Sequence, residues 1–75
     1  MLEQFDMVEF GRRLRHLRME ILHLPIKKFA AQAGISHGMI CHYEAGRRGP
    51  SGQVLFVICK SYGVSADWLL GLKEE

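Results

Sequence analysis

The chain has 75 residues and a mass of 8.6 kDa, room for one domain. Its residues are 48% apolar and 24% charged with a formal net charge of +2, which suits a folded globular chain and excludes a disordered one. The longest apolar run, Val54–Cys59, has six residues against the ~20 of a membrane helix, and two cysteines make no disulfide framework. A transporter, a large enzyme and a disulfide-stapled secreted module are thereby excluded.

Capping signals divide the chain into five helices. Asp6, with Glu9 three residues on, reads as a capping box that opens a helix over 7–22. Phe10, Leu14, Leu17 and Ile21 recur there as one apolar stripe, with arginines on the other side. Pro25 suits the first turn of a second helix over 26–33, which Gly34 ends. Ser36 caps a third helix over 37–45, carrying Met39, Ile40 and Tyr43. Ser51 opens a fourth over 52–62, stopped by Gly63, and Ser65 caps a fifth over 66–71, with Asp67 near the positive end of its dipole. No strand pattern, repeat or linker interrupts the series, so residues 1–75 are expected to form a single all-α domain.

The net charge hides an uneven distribution. Residues 1–9 carry three acidic groups and no basic one, residues 10–50 sum to +6, and residues 51–75 sum to −1. All four histidines also lie in the basic stretch. One face is therefore expected to meet a polyanion and the other something uncharged. Within the basic stretch the second and third helices are joined by Ala33-Gly34-Ile35-Ser36, too short a turn for an antiparallel hairpin. A glycine in a three- to four-residue turn between helices marks a helix-turn-helix, whose second helix enters the major groove. Ala30 and Ala33 are small enough for the close crossing, and Ile35 and Ile40 fill the corner.

Four blocks carry a resemblance. They are Phe10-Gly11-Arg12-Arg13-Leu14-Arg15-His16-Leu17-Arg18, Phe29 through Ser36, Ile40 through Pro50, and Tyr62 through Gly71. In that order the chain resembles the Cro/phage-repressor (XRE-type) helix-turn-helix family, over nearly its whole length. The resemblance implies the five-helix fold of lambda-repressor-like DNA-binding domains, binding to double-stranded operator DNA, and homodimerisation in a bacterial or phage regulator. It further implies an ion pair between Arg18 and Glu44, base contacts from His37, Gly38, Cys41 and His42, and phosphate contacts from Ser36, Arg47 and Arg48, with weaker ones from Lys28, Arg12 and Arg13.

The sequence departs from the family pattern at three places. Pro25-Ile26 stands where a polar Ser/Thr-Gln pair commonly opens the second helix, and can neither hold phosphate nor buttress the recognition helix. The segment between Arg18 and Ala30 is one residue longer than usual. The recognition helix offers no Arg, Asn or Gln at exposed positions, although these make the commonest base contacts, and Gly38 offers no side chain at all. Backbone approach and DNA deformability can substitute.

Other chemistry finds little footing. His37 and Cys41 share a helix face with His42 adjacent, but no CxxC or HxxxH completes a zinc set. No metal or other cofactor is expected. An exposed Cys41 thiol would be open to oxidation. No phosphate loop, paired carboxylates or serine nucleophile motif is present, and neighbouring Cys41 and His42 point ~100° apart on a helix, so an enzyme with a small-molecule substrate is not expected. The N-terminus shows Glu3 and Asp6 in place of a basic then apolar leader, which leads to expecting no secretory signal and a cytoplasmic location. Val64, Trp68, Leu69, Leu70 and Leu72 crowd more apolar groups than one short helix face can hide. Trp68, Leu69 and Leu72 are therefore expected at a homodimer contact that sets two recognition helices about 34 Å apart on an inverted repeat. The competing expectation is a protein-interaction module, such as an antitoxin or antirepressor, built on the same fold.

Overall fold

The computed structural model describes residues 2–74. Asp6 caps the first helix as its spacing predicts: Oδ1 accepts from the Val8 and Glu9 backbone N–H groups, both at 3.0 Å. Helix α1 then runs over Met7–His16. Beyond it the chain departs from the expected helix over 7–22 and enters a π-helical turn at Leu17–Ile21, where the Leu22 N–H donates to the Leu17 carbonyl at 2.9 Å. Each π-type ring encloses one residue more than an α-type ring. The next bend is made by His23 at φ 55°, a left-handed conformation that histidine adopts more readily than most side chains.

Four more helices follow: α2 at Ile26–Ala33, α3 at His37–Glu44, α4 at Gly52–Tyr62 and α5 at Ala66–Leu69. Ser36, Ser51 and Ser65 each accept a backbone N–H three residues on, from Met39, Val54 and Trp68, meeting donors that a helix start otherwise leaves unpaired. α3 and α5 end earlier than the expected 37–45 and 66–71, because Gly46 and Gly71 turn left-handed just past them and reverse the chain.

Every helix contributes to one core. Phe10 and Leu14 of α1, Phe29 of α2, Ile40 of α3, Ile58 of α4 and Leu69 of α5 are all buried to 1% exposure or less. The Phe10 ring meets Tyr43 edge-on at 5.8 Å, and Phe29 stacks on Tyr62 at 4.5 Å. Tyr62 also donates its hydroxyl to the Phe29 carbonyl at 2.5 Å, tying α4 to α2. Burial holds the Tyr62 hydroxyl above its ordinary pKa, so it remains a donor at neutral pH. Gly11 lets α1 and α3 touch backbone to backbone, since a Cβ there would overlap the Tyr43 carbonyl oxygen.

Two side chains lie elsewhere than the sequence suggested. Leu69, expected at a dimer contact, is fully buried in the core of its own subunit. Leu69 is the α5 side chain that enters the core, with Trp68 packed at its margin. Arg13, expected at DNA, is 7% exposed. It donates to Glu9 at 2.7 Å and to the backbone carbonyls of Trp68 and Lys73 at 3.0 and 3.2 Å, and its guanidinium lies 5.4 Å from the centre of the Trp68 ring. Arg13 fastens α5 and the chain beyond it to α1. Trp68, also expected at a dimer contact, is half-buried beneath it, while Leu72 is 73% exposed. No helix among the described residues is long and apolar enough to cross a membrane.

Candidate nucleic-acid interface

The turn between α2 and α3 is closed by Gly34 at φ 72°. Its N–H donates to Ala31 and the following Ile35 N–H donates to Ala30, at 3.2 and 3.0 Å. This paired closure fixes where α3 starts relative to α2. Buried Ala30 and Ala33 keep the crossing tight, and Ile40 seals it from below.

The far end of α3 is held by one guanidinium. Arg18 donates through Nε to Glu44 Oε2 at 2.6 Å and through Nη2 to Oε1 at 2.9 Å. Its remaining nitrogen, Nη1, donates to the Leu24 carbonyl at 3.0 Å. The two side chains are 8% and 5% exposed. The Glu44 carboxylate raises the Arg18 pKa, mainly through the hydrogen bond, so the guanidinium stays charged throughout the neutral range. A planar fork satisfies both carboxylate oxygens at once, which a lysine ammonium does not. Arg18 thus joins the π turn, the loop before α2 and the last turn of α3.

Between these two fixed ends the first turn of α3 stands open. Ser36, His37, Gly38 and His42 are exposed and Cys41 is half-buried. The Ser36 oxygen is engaged as a cap, which leaves its O–H proton to donate outward. His37 Nδ1 and Cys41 Sγ lie 3.6 Å apart on one side of the helix. At Gly38 an added Cβ would meet nothing within 4 Å, so no packing within the subunit requires a glycine there.

Exposed cationic side chains lie at the two ends of the helix-turn-helix. Past α3, Gly46 and Arg47 close the helix through N–H bonds to Tyr43 and His42 at 3.1 and 3.0 Å, which sets Arg47 and Arg48 at its end. Both are exposed, and the Arg48 Nη1 lies 3.8 Å from the Met39 sulfur, against the side of α3. Lys28 is exposed in the first turns of α2, and so is Lys27 beside it. Lys27 was not among the expected contacts; the signal for it was its place next to Lys28 at the start of a helix-turn-helix. None of these four forms an ion pair among the described residues.

Arg12 belongs to another neighbourhood. It donates to Glu9 at 3.0 and 2.6 Å, and together with Arg13 it holds the Glu9 pKa down at about 2. This acidic-basic cluster lies against Trp68 and Glu74, on the α5 side of α1. The structure therefore gathers Ser36, His37, Gly38, Cys41, His42, Arg47 and Arg48 on and around α3, and it separates Arg12 and Arg13 from them. Among the described residues no three histidine, cysteine or acidic side chains come together to hold a metal ion.

A protein-family model described as helix-turn-helix matches residues 14–69, from the last turn of α1 to the end of α5. Neither a curated protein nor a solved structure matches the chain.

Proposed function

The chain belongs to the helix-turn-helix family of XRE (Cro/phage-repressor) type, and from that membership we propose a sequence-specific regulator that reads an inverted-repeat operator as a homodimer. DNA binding in the service of transcription regulation is what the family does. The operator, the pairing and the residue roles are our own assignment.

The observation that carries it is the exposed first turn of α3 in a helix-turn-helix that has Lys27 and Lys28 at its start and Arg47 and Arg48 just past its end, all exposed and none in an ion pair among the described residues. In this assignment α3 lies in the major groove, where His37, Cys41, His42 and the bare backbone at Gly38 face base edges. Ser36, Arg47, Arg48 and Lys28 hold phosphates on either side, joined by Lys27. Phosphate contacts fix register and orientation, and base contacts select sequence. With few bidentate side chains available, part of the selectivity rests on how easily the operator deforms. Arg12 and Arg13 are left out of the interface, being bound to Glu9 and the α5 region. A cytoplasmic location, where operator DNA is reached, completes the proposal.

The test is selection of bound sites from random duplexes, followed by salt titration on the recovered site. Enrichment of a two-fold symmetric motif is expected. Each phosphate neutralised by a lysine or arginine contributes about −0.9 to the log–log slope, so Lys27, Lys28, Arg47 and Arg48 give a slope of about −3.6 per half-site. Recovery of no motif together with a slope near zero would leave protein docking as the function of the same fold.

A further inference from the structure

One nitrogen of the buried Arg13 guanidinium has no hydrogen bond. Nε donates to Glu9 and Nη1 to the Trp68 and Lys73 carbonyls, whereas Nη2 faces the Glu74 carboxylate at 3.6 Å, beyond hydrogen-bond length. No fully buried side-chain nitrogen or oxygen of the described residues lacks a partner, so Nη2 opens to solvent. The Arg13 side chain is 8% exposed and that of Glu74 is 91% exposed. A fixed donor is therefore covered by a carboxylate that is not packed in place.

Arg12, Arg13, His16, Trp68 and Glu74 line a polar recess of about 150 Å³ at this point. His16, Trp68 and Glu74 also border a larger cleft of about 390 Å³, walled by Ile21, Val64 and Ser65. The two therefore adjoin, with half-buried Trp68 common to both. Ile21 closes the apolar stripe of Phe10, Leu14 and Leu17, yet it is 54% exposed at the edge of the cleft. It belongs to the π turn, a distortion frequent at functional sites.

Charge and size define what fits. Arg12 and Arg13 bring two positive charges, and Glu9, bonded to both, takes up one. The other is left for Glu74 to meet, so one further carboxylate balances the recess and a phosphate dianion overfills it. A cavity of about 150 Å³ holds a benzene ring, and ligand clefts begin near about 300 Å³. The larger cleft accordingly has room for a ring and a short chain. We propose that this cleft binds a small aromatic monocarboxylate, its carboxylate on Arg13 Nη2 in place of Glu74 and its ring against Trp68, Ile21 and Val64. Glu74 is then an internal competitor for the same donor. The site is built by α1, the π turn, the turn before α5 and α5 itself. It uses no residue of α3 and is additional to the DNA-reading surface.

Trp68 is the single tryptophan of the chain, so its fluorescence reads the cleft directly. Hydrocinnamate (a phenyl ring, two methylenes and a carboxylate) is the probe for the full chain. A saturable change in emission is expected, with a Kd of about 1 mM. Acetate, phenethylamine and inorganic phosphate are expected to cause none at the same concentrations. Glu74→Gln removes the competitor and is expected to tighten hydrocinnamate binding about threefold. His16→Glu adds an anion where recess and cleft meet, and Ile21→Glu adds one at the apolar wall. Both positions are exposed. Each variant is expected to keep its helical circular-dichroism spectrum and to weaken binding about tenfold or more. The assignment is overturned if hydrocinnamate causes no saturable change, or if acetate, phenethylamine or phosphate binds as well as hydrocinnamate. It is equally overturned if Glu74→Gln fails to tighten binding, or if His16→Glu and Ile21→Glu bind normally. No arm contains DNA, so these results stand apart from the operator proposal.

Discussion

Arg13 and Arg18, on α1 and the π turn after it, are each 7% exposed, whereas Arg47 and Arg48, just past α3, stand in solvent. In the sequence the four look alike, members of one basic stretch. The difference lies in what each meets. Arg13 finds Glu9, the Trp68 ring and two carbonyls, and Arg18 finds Glu44 and the Leu24 carbonyl. Arg47 and Arg48 meet no carboxylate among the described residues. Positive charge available to a polyanion is what remains after internal partners are subtracted, and Arg47 and Arg48 at the end of α3 are among the cations that remain.

The largest test of this contrast is Arg18→Ala. It strands the Glu44 carboxylate, 5% exposed, without a counter-charge, and the expected loss is about 3–5 kcal/mol. That is a large share of the roughly 4–11 kcal/mol typical of a domain this size. Urea denaturation checks it, and a loss below about 1 kcal/mol would show that Arg18 is no internal brace. Arg13→Ala against Arg47→Ala comes next. The first is expected to cost about 1–3 kcal/mol of stability and leave the salt slope of DNA binding unchanged. The second is expected to leave stability within about 0.5 kcal/mol and make the slope shallower by about 1. A flatter slope in Arg13→Ala would erase the distinction between the two sets of arginines.

Gly38→Ala sharpens the comparison from the other side. The added methyl meets nothing within 4 Å, and alanine favours helical backbone over glycine, by at most about 0.5–1 kcal/mol in this first turn, so the urea midpoint is expected to rise slightly. Affinity for the selected operator is expected to fall, while affinity for random duplex holds. Equal affinity for the operator would remove Gly38 from the interface. The smallest effect concerns Glu9, whose pKa is depressed from 4.5 to about 2 by Arg12 and Arg13. A depressed carboxylate stabilises the fold fully above its unfolded pKa, and that contribution fades as pH falls from about 4.5 towards 2. Glu9→Gln is expected to flatten this acid limb of the stability profile, followed as urea midpoint against pH, and to leave salt-dependent binding at neutral pH untouched.

Much of the fold was legible because its signals are local. Asp6, Ser36, Ser51 and Ser65 cap where their side-chain chemistry says they should, and Gly34, Gly46 and Gly63 turn the chain where a left-handed residue is needed. The place of α3 was legible for the same reason. Long-range pairing was not. Nothing near Arg13 in sequence announces carbonyls 55 and 60 residues away, and nothing near Leu69 tells inward from outward on a helix of four residues. Phe56, exposed on α4, escaped notice for a related reason. The run of six apolar residues around it looks like core, and only the packing separates its buried side from its bare one.

The π turn at Leu17–Ile21 gives the molecule an unequal tolerance to changes of length. Dropping one residue there lets the wide coil tighten to ordinary pitch, and everything downstream keeps its orientation. Dropping one from α3 spins each later side chain by about 100° around the rod, which would swing Glu44 away from Arg18. Chain length is thus negotiable at one end of the brace and fixed at the other.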